Sequence, residues 1–142
     1  MLQKQIKITR KIAILMLLFL VISRCSKDEK NCGCESETSQ TVSESDKMKG
    51  KIAFKYQIDP NDNYYNDKFW ISFTPNDCSS CEIRAIVCNE DILQEEISKL
   101  KETKDVLNIQ FSGSLKEICT RKNDIAELSY KRIVLTSIEI SE

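Results

Sequence analysis

Residues 82–112, EIRAIVCNEDILQEEISKLKETKDVLNIQFS, change their hydrophobic period twice, and the fold turns on those changes. Over 82–89 the spacing is that of a strand, with Ile83, Ala85 and Val87 on one side and Ile86 and Cys88 on the other. Asn89 then stands at a helix-capping position, with Glu90 and Asp91 where the positive end of a first turn favours acids. Leu93, Ile97 and Leu100 recur at four and three, one stripe of a helix over 90–102, and Lys99, Lys101 and Lys104 suit its far end. Residues 105–112 return to a period of two, with Leu107, Ile109 and Phe111 on one face.

Two more alternating segments lie upstream. In 51–58, KIAFKYQI, Ile52, Phe54, Tyr56 and Ile58 alternate with Lys51, Ala53, Lys55 and Gln57, and the Pro- and Asn-rich 59–63 breaks the run. In 69–74, FWISFT, Phe69, Ile71 and Phe73 share a face and Trp70 lies opposite. Downstream, Ser112-Gly113 permits a bend, 115–119 continues extended, and 120–128 is a polar loop with room for one helical turn. Residues 130–140, YKRIVLTSIEI, form the last strand, with a bulge expected near Ser137. Three strands, one helix and two or three further strands predict a mainly β domain. The expected fold is a five- to six-stranded antiparallel barrel or curled sheet.

The oligonucleotide/oligosaccharide-binding (OB) barrel has five strands with a helix between the third and fourth, and this order fits it. The ending, Asn-Ile-Gln-Phe-Ser-Gly (108–113) then Ile-Val-Leu-Thr-Ser-Ile-Glu (133–139), also resembles small uncharacterised envelope lipoproteins. That resemblance implies the same OB-like barrel; it bears on fold more than on activity.

The N-terminus reads as an address. Residues 1–11 hold Lys4, Lys7, Arg10 and Lys11 and no acid, and 12–22, IAILMLLFLVI, is an unbroken apolar run. A helix needs ~20 apolar residues to cross the hydrocarbon core, so this run has the length of a signal-peptide core. The run ends Val21-Ile22-Ser23-Arg24-Cys25, which resembles the signal of bacterial lipoproteins. In that family the cysteine receives diacylglycerol on sulfur and becomes residue one after cleavage. Ile22 and Ser23 fit the pattern; Arg24 stands where a small residue is usual. The following Ser26-Lys27-Asp28-Glu29 resembles the acidic export signal of some Gram-negative lipoproteins. The resemblance implies a signal peptide over 1–24, lipidation at Cys25 and an envelope location at the outer membrane, on its periplasmic or surface face. Acyl chains contribute about 0.8 kcal/mol per buried CH₂, so the partner so implied is the membrane itself.

Residues 26–50 contain no aromatic residue and only Val42 and Met48 as large aliphatics. Such composition buries too little apolar surface to offset ordering entropy, so 25–50 reads as lipidated cysteine plus flexible tether, and 51–142 as the compact domain.

Composition narrows function. The chain of 142 residues has a formal charge of −1, but residues 1–24 hold five cations and no acid. The remainder carries 16 cations against 22 acids, or −6. An acidic surface without a basic stripe argues against nucleic acid. There is no histidine, which removes His-dependent nucleophilic triads and His-based zinc enzymes. No cofactor is expected.

Seven cysteines in a short chain point to an oxidising compartment. With Cys25 assigned to lipid, Cys32, Cys34, Cys78, Cys81, Cys88 and Cys119 remain as candidate disulfide cysteines, and the sequence leaves their connectivity open. Cys88 and Cys119 each end a strand, so a bridge between them would join sheet elements; Cys78 and Cys81 could close locally. The alternatives are a redox pair at Cys78 and Cys81, which lacks a following helix, and a four-thiolate zinc site from Cys32, Cys34, Cys78 and Cys81. Asp59, Asn61, Asn63 and Asp67 begin like a calcium loop, but Tyr64 and Trp70 stand where that loop needs Gly and Glu. Tyr64, Tyr65 and Trp70 are candidate binding aromatics, either stacking on a sugar or protein or packing under their own loop. Glu90-Asp91 and Glu95-Glu96 read as solvated charge. The whole reads as a non-enzymatic binding or accessory module held on the membrane, its partner an envelope protein or a glycan. The alternatives are an inhibitor or immunity-type protein against a secreted hydrolase, and a thiol-redox protein using Cys78 and Cys81.

Overall fold

The structure, a computed structural model, describes residues 32–58, 60–61, 63–119 and 128–142. The predicted signal peptide, Cys25 and Asp59 lie outside the described residues, as does nearly all of the 120–128 loop. Among the described residues there are six strands: β1 (Thr38–Val42), β2 (Met48–Lys55), β3 (Lys68–Phe73), β4 (Glu82–Val87), β5 (Val106–Glu117) and β6 (Leu128–Ile140). Their order is β1-β5-β2-β3-β4-β6, and β6 returns to β5. Strands β2 to β6 therefore close into a five-stranded barrel, with β1 added outside on β5. The β4–β6 pair is parallel and the other pairs are antiparallel. The barrel is consistent with the OB-like fold expected from the sequence, with the last strand inserted between the third and fourth of the barrel; the parallel β4–β6 pair that this insertion creates departs from the antiparallel sheet expected.

Period two explains the barrel's filling. Ile52 and Phe54 on β2, Phe69, Ile71 and Phe73 on β3, Ile109, Phe111 and Leu115 on β5, and Ile133 and Leu135 on β6 are all buried in one core. Edge-to-face ring pairs link Phe54 to Phe69 at 5.0 Å and Phe73 to Phe111 at 5.1 Å. Each large apolar side chain so buried contributes about 1.5–3 kcal/mol. The β5–β6 pairing closes the sheet and covers the edge that β6 would expose in an open one.

The single helix expected over 90–102 is instead three short pieces: a 3₁₀ turn at Glu90–Ile92 and helical turns at Glu95–Ser98 and Leu100–Thr103. Leu93 and Gln94 are extended between them, with ψ of 129° and 159°. The predicted stripe survives the break: Ile97 and Leu100 are buried in the barrel core, with Leu93 packed against it. Asn89 does not cap a helix. Its side chain pairs with β6, as does that of Gln94, whose Nε2 donates to the Ile138 carbonyl at 3.3 Å.

Strand β5 runs unbroken through Ser112-Gly113, where the sequence permits a bend. The bulge read near Ser137 is present. Ser112 faces Ser137 and Gly113 faces Leu135, leaving Thr136 as the extra residue on β6. The strands approach closely here: a Cβ on Gly113 would sit 2.5 Å from the Val134 carbonyl oxygen. Ser112 Oγ lies 2.8 Å from Thr136 Oγ1 and 2.6 Å from Ser137 Oγ, so its burial leaves no orphan hydroxyl.

The flexible-tether reading of 25–50 gives way over its described part. Residues 32–50 fold onto the barrel, and β2 already begins at Met48. β1 pairs with β5, Thr41 facing Ser114 and Val42 facing Gly113. Val42 enters the core, and Ser36 is buried with its hydroxyl donating to the Gly33 carbonyl at 2.8 Å. Composition misjudged this stretch because backbone pairing and covalent bridges, not apolar burial, hold it. At the other end of β2, Tyr56 and Ile58 fall beyond the strand and are 43% and 44% exposed.

Candidate functional site

The three candidate aromatics assemble, but two of them are covered by the chain itself. On the outer surface of β3 and β4, Trp70 and Ile86 sit opposite each other in register. The turn before β3 folds Tyr65 over them. Tyr65, Trp70 and Ile86 form a second buried cluster, with Tyr64, Ile118 and Tyr130 packed against it. Tyr65 stacks on Trp70 with ring centroids 6.0 Å apart, and Tyr130 meets Trp70 edge-on at 6.1 Å. Trp70 Nε1 donates to the Tyr65 carbonyl at 3.3 Å. Tyr65 is fully buried and Trp70 is 6% exposed, so the binding role expected of them is replaced by packing under their own loop. In OB barrels the face of the second and third strands is a ligand-binding surface; here the chain covers that surface itself. The sequence reading missed Tyr130, whose outward position on β6 could have been read from the alternation.

Tyr64 is half-buried and joins this cluster to the bridges. Its hydroxyl accepts from the Cys119 backbone N–H at 3.2 Å and from Arg132 Nε at 3.1 Å. All six candidate cysteines are paired. Cys32 bonds Cys119, Cys34 bonds Cys88, and Cys78 bonds Cys81, with Cα separations of 4.8, 5.7 and 5.3 Å. The expected Cys88–Cys119 bridge is not formed, because each of those residues takes a partner from the N-terminal strap. Gly33 between Cys32 and Cys34 has φ +94°, which lets two successive bridges leave the strap for different strands. The same pairing dismantles the four-thiolate zinc set. The Cys78–Cys81 bridge closes a turn in which Cys81 N–H donates to the Cys78 carbonyl at 3.1 Å, and strand β4 follows it. No helix N-terminus adjoins it to activate a thiolate, so the redox reading at that pair has no support from its surroundings.

A separate open cleft of about 810 Å³ runs across the outer faces of β5, β2 and β3, below the β1–β2 turn and the C-terminus. Lys49 faces Gln110 in register, and Lys51 lies between Asn108 and Ser72. Among the described residues, these Lys, Asn and Gln side chains have no hydrogen-bond or ion-pair partner. They present a small field of donors and amides to solvent, although residues 25–142 carry 16 cations against 22 acids. At the rim, Glu82 accepts from Arg84 Nε at 2.8 Å. That bond raises the already high guanidinium pKa, against a smaller opposing effect of desolvation. Both side chains are exposed, so the pair contributes little to stability.

Among the described residues no group of three or more Cys, Asp or Glu is placed to hold a metal ion, and no helix is long and apolar enough to cross a membrane. No protein-family model matches the chain, and none of the curated proteins does.

Proposed function

We propose that this chain is a lipid-anchored accessory module of the bacterial cell envelope that binds another envelope protein or a glycan through the β5–β2–β3 cleft. The observation that carries the reading is the pairing of all six cysteines after Cys25. It fits an oxidising compartment and leaves Cys25 as the odd thiol, at the position where the lipoprotein signal puts its diacylglycerol. The cleft supports a binding role because, among the described residues, Lys49, Lys51, Asn108 and Gln110 within it lack internal side-chain partners. The paired cysteines and missing histidine take thiolate and imidazole out of the groups available for nucleophilic or acid/base catalysis.

The test has two arms. Metabolic labelling with a tagged fatty acid should mark the wild-type chain and not Cys25→Ala. Affinity capture from detergent-solubilised envelope, with a glycan array alongside, should recover a partner that is lost in the Lys49→Glu/Lys51→Glu double variant. An unlabelled wild type ends the anchoring reading, and capture unaffected by the double variant ends the assignment to the cleft. The same cleft could instead block a secreted hydrolase; protection of purified cell walls by the protein separates that alternative.

A further inference from the structure

Arg132 lies where the N-terminal strap crosses the barrel, and its guanidinium is fixed on several sides. Nη1 donates to Cys34 Sγ at 3.3 Å, Nε donates to the Tyr64 hydroxyl at 3.1 Å, and Cζ stands 4.7 Å from the Tyr64 ring centroid. Tyr64 is itself anchored by the Cys119 N–H. A cation is thus clamped against one sulfur of the Cys34–Cys88 bridge. Among the described residues the other two bridges have no such neighbour; the Cys78 Sγ contact is Ser80 Oγ, at 3.8 Å. The remaining charges around the strap are engaged elsewhere or solvated. Lys116 donates to the Ser36 carbonyl, Lys131 pairs with Glu117, Glu90 beyond Cys88 pairs with Lys101, and Glu35 is exposed.

A disulfide opens when a thiolate attacks one sulfur and the other departs as thiolate, and the sulfur whose thiolate is better stabilised departs faster. A neighbouring guanidinium supplies that stabilisation. We infer that Cys34–Cys88 is the thiol-exchange site of this chain, with Cys88 the sulfur attacked, Cys34 the sulfur released beside Arg132, and a dithiol able to close to an unstrained cyclic disulfide as the reacting partner. In the forward direction one thiolate of the dithiol attacks Cys88 Sγ. The Cys34–Cys88 bond breaks, its electron pair stays on Cys34 Sγ, and a mixed disulfide forms at Cys88. The second thiolate of the dithiol then attacks its own neighbour's sulfur, closes the dithiol to a disulfide and releases Cys88 as thiolate, which takes a proton from water. Two electrons pass from the dithiol to the bridge. Cys32–Cys119 keeps the strap attached throughout, so exchange loosens the strap without freeing it.

The test gives the oxidised full chain, in detergent, a substoichiometric amount of dithiothreitol near neutral pH, then blocks free thiols with iodoacetamide and maps peptides by mass. Cys34 and Cys88 should be alkylated before the other four, and Arg132→Gln should slow their opening about fivefold while leaving Cys78–Cys81 unchanged. Earlier opening of another bridge, or an unchanged rate in Arg132→Gln, overturns the inference. A second measurement does not depend on that variant folding. In Cys88→Ser the lone Cys34 thiol should show an alkylation midpoint below the ~8.5 of an ordinary cysteine, and a midpoint at or above that value is equally fatal.

Discussion

Asn89 pairs with both backbone groups of Leu135 through its side-chain amide, donating from Nδ2 to the carbonyl at 2.9 Å and accepting the N–H on Oδ1 at 2.8 Å. It continues the β4–β6 ladder one step past Cys88, whose N–H donates to the Ile133 carbonyl at 2.8 Å. The amide stands in for a strand residue at the point where the chain leaves the sheet. Asn89→Ala should therefore cost about 1–3 kcal/mol, the range for stranding a backbone pair. The check is a urea titration showing a lower midpoint at unchanged slope.

Gly113→Ala should destabilise by about 1–3 kcal/mol, because the new methyl meets backbone and not a side chain that could swing aside. The contact is the Val134 carbonyl opposite the β6 bulge. Thermal unfolding by circular dichroism reads it, and a neutral result would show that β6 can slip outward.

Trp70 is the only tryptophan and belongs to packing. Trp70→Ala should lower stability by about 3–5 kcal/mol. Wild-type fluorescence should show the blue-shifted emission of a buried indole, and a solvent-like spectrum would contradict the Tyr65 stack. Tyr64→Phe keeps the ring under Arg132 and removes the hydroxyl, for a smaller loss of about 0.5–1.5 kcal/mol.

Replacing Cys32 and Cys119 together by serine opens a crosslink 87 residues apart in sequence. The chain-entropy model puts the loss at about 4.6 kcal/mol. Differential scanning calorimetry of the double variant beside the wild type measures it. Near-equal melting would mean that the Cys34–Cys88 bridge and β1 pairing hold the strap without it.

The sequence displayed the barrel strands because each carries an apolar face: Phe69, Ile71 and Phe73 mark β3, and Leu107, Ile109 and Phe111 mark β5. β1 was hidden because Thr38–Val42 exposes four of its five residues and has one apolar side chain to bury. Its strand character comes from β5, a partner far along the chain, which no local pattern records. The broken helix was hidden for a similar reason, since the extended pair Leu93-Gln94 answers to β6 and not to helix propensity. At the site, the cysteines were visible and their pairing was not. The aromatics were visible too; which side of the sheet they served depended on a turn folding back over Trp70.

The Cys32–Cys119 bond also sets the length of the mooring. Under the anchoring proposed at Cys25, six residues of sequence, 26–31, separate the lipid from the first bridged cysteine, against 25 up to Gly50. Fully extended, that span reaches only about 24 Å. The barrel would ride low over the headgroups, and a partner would have to meet it at the membrane surface and not at a distance from it.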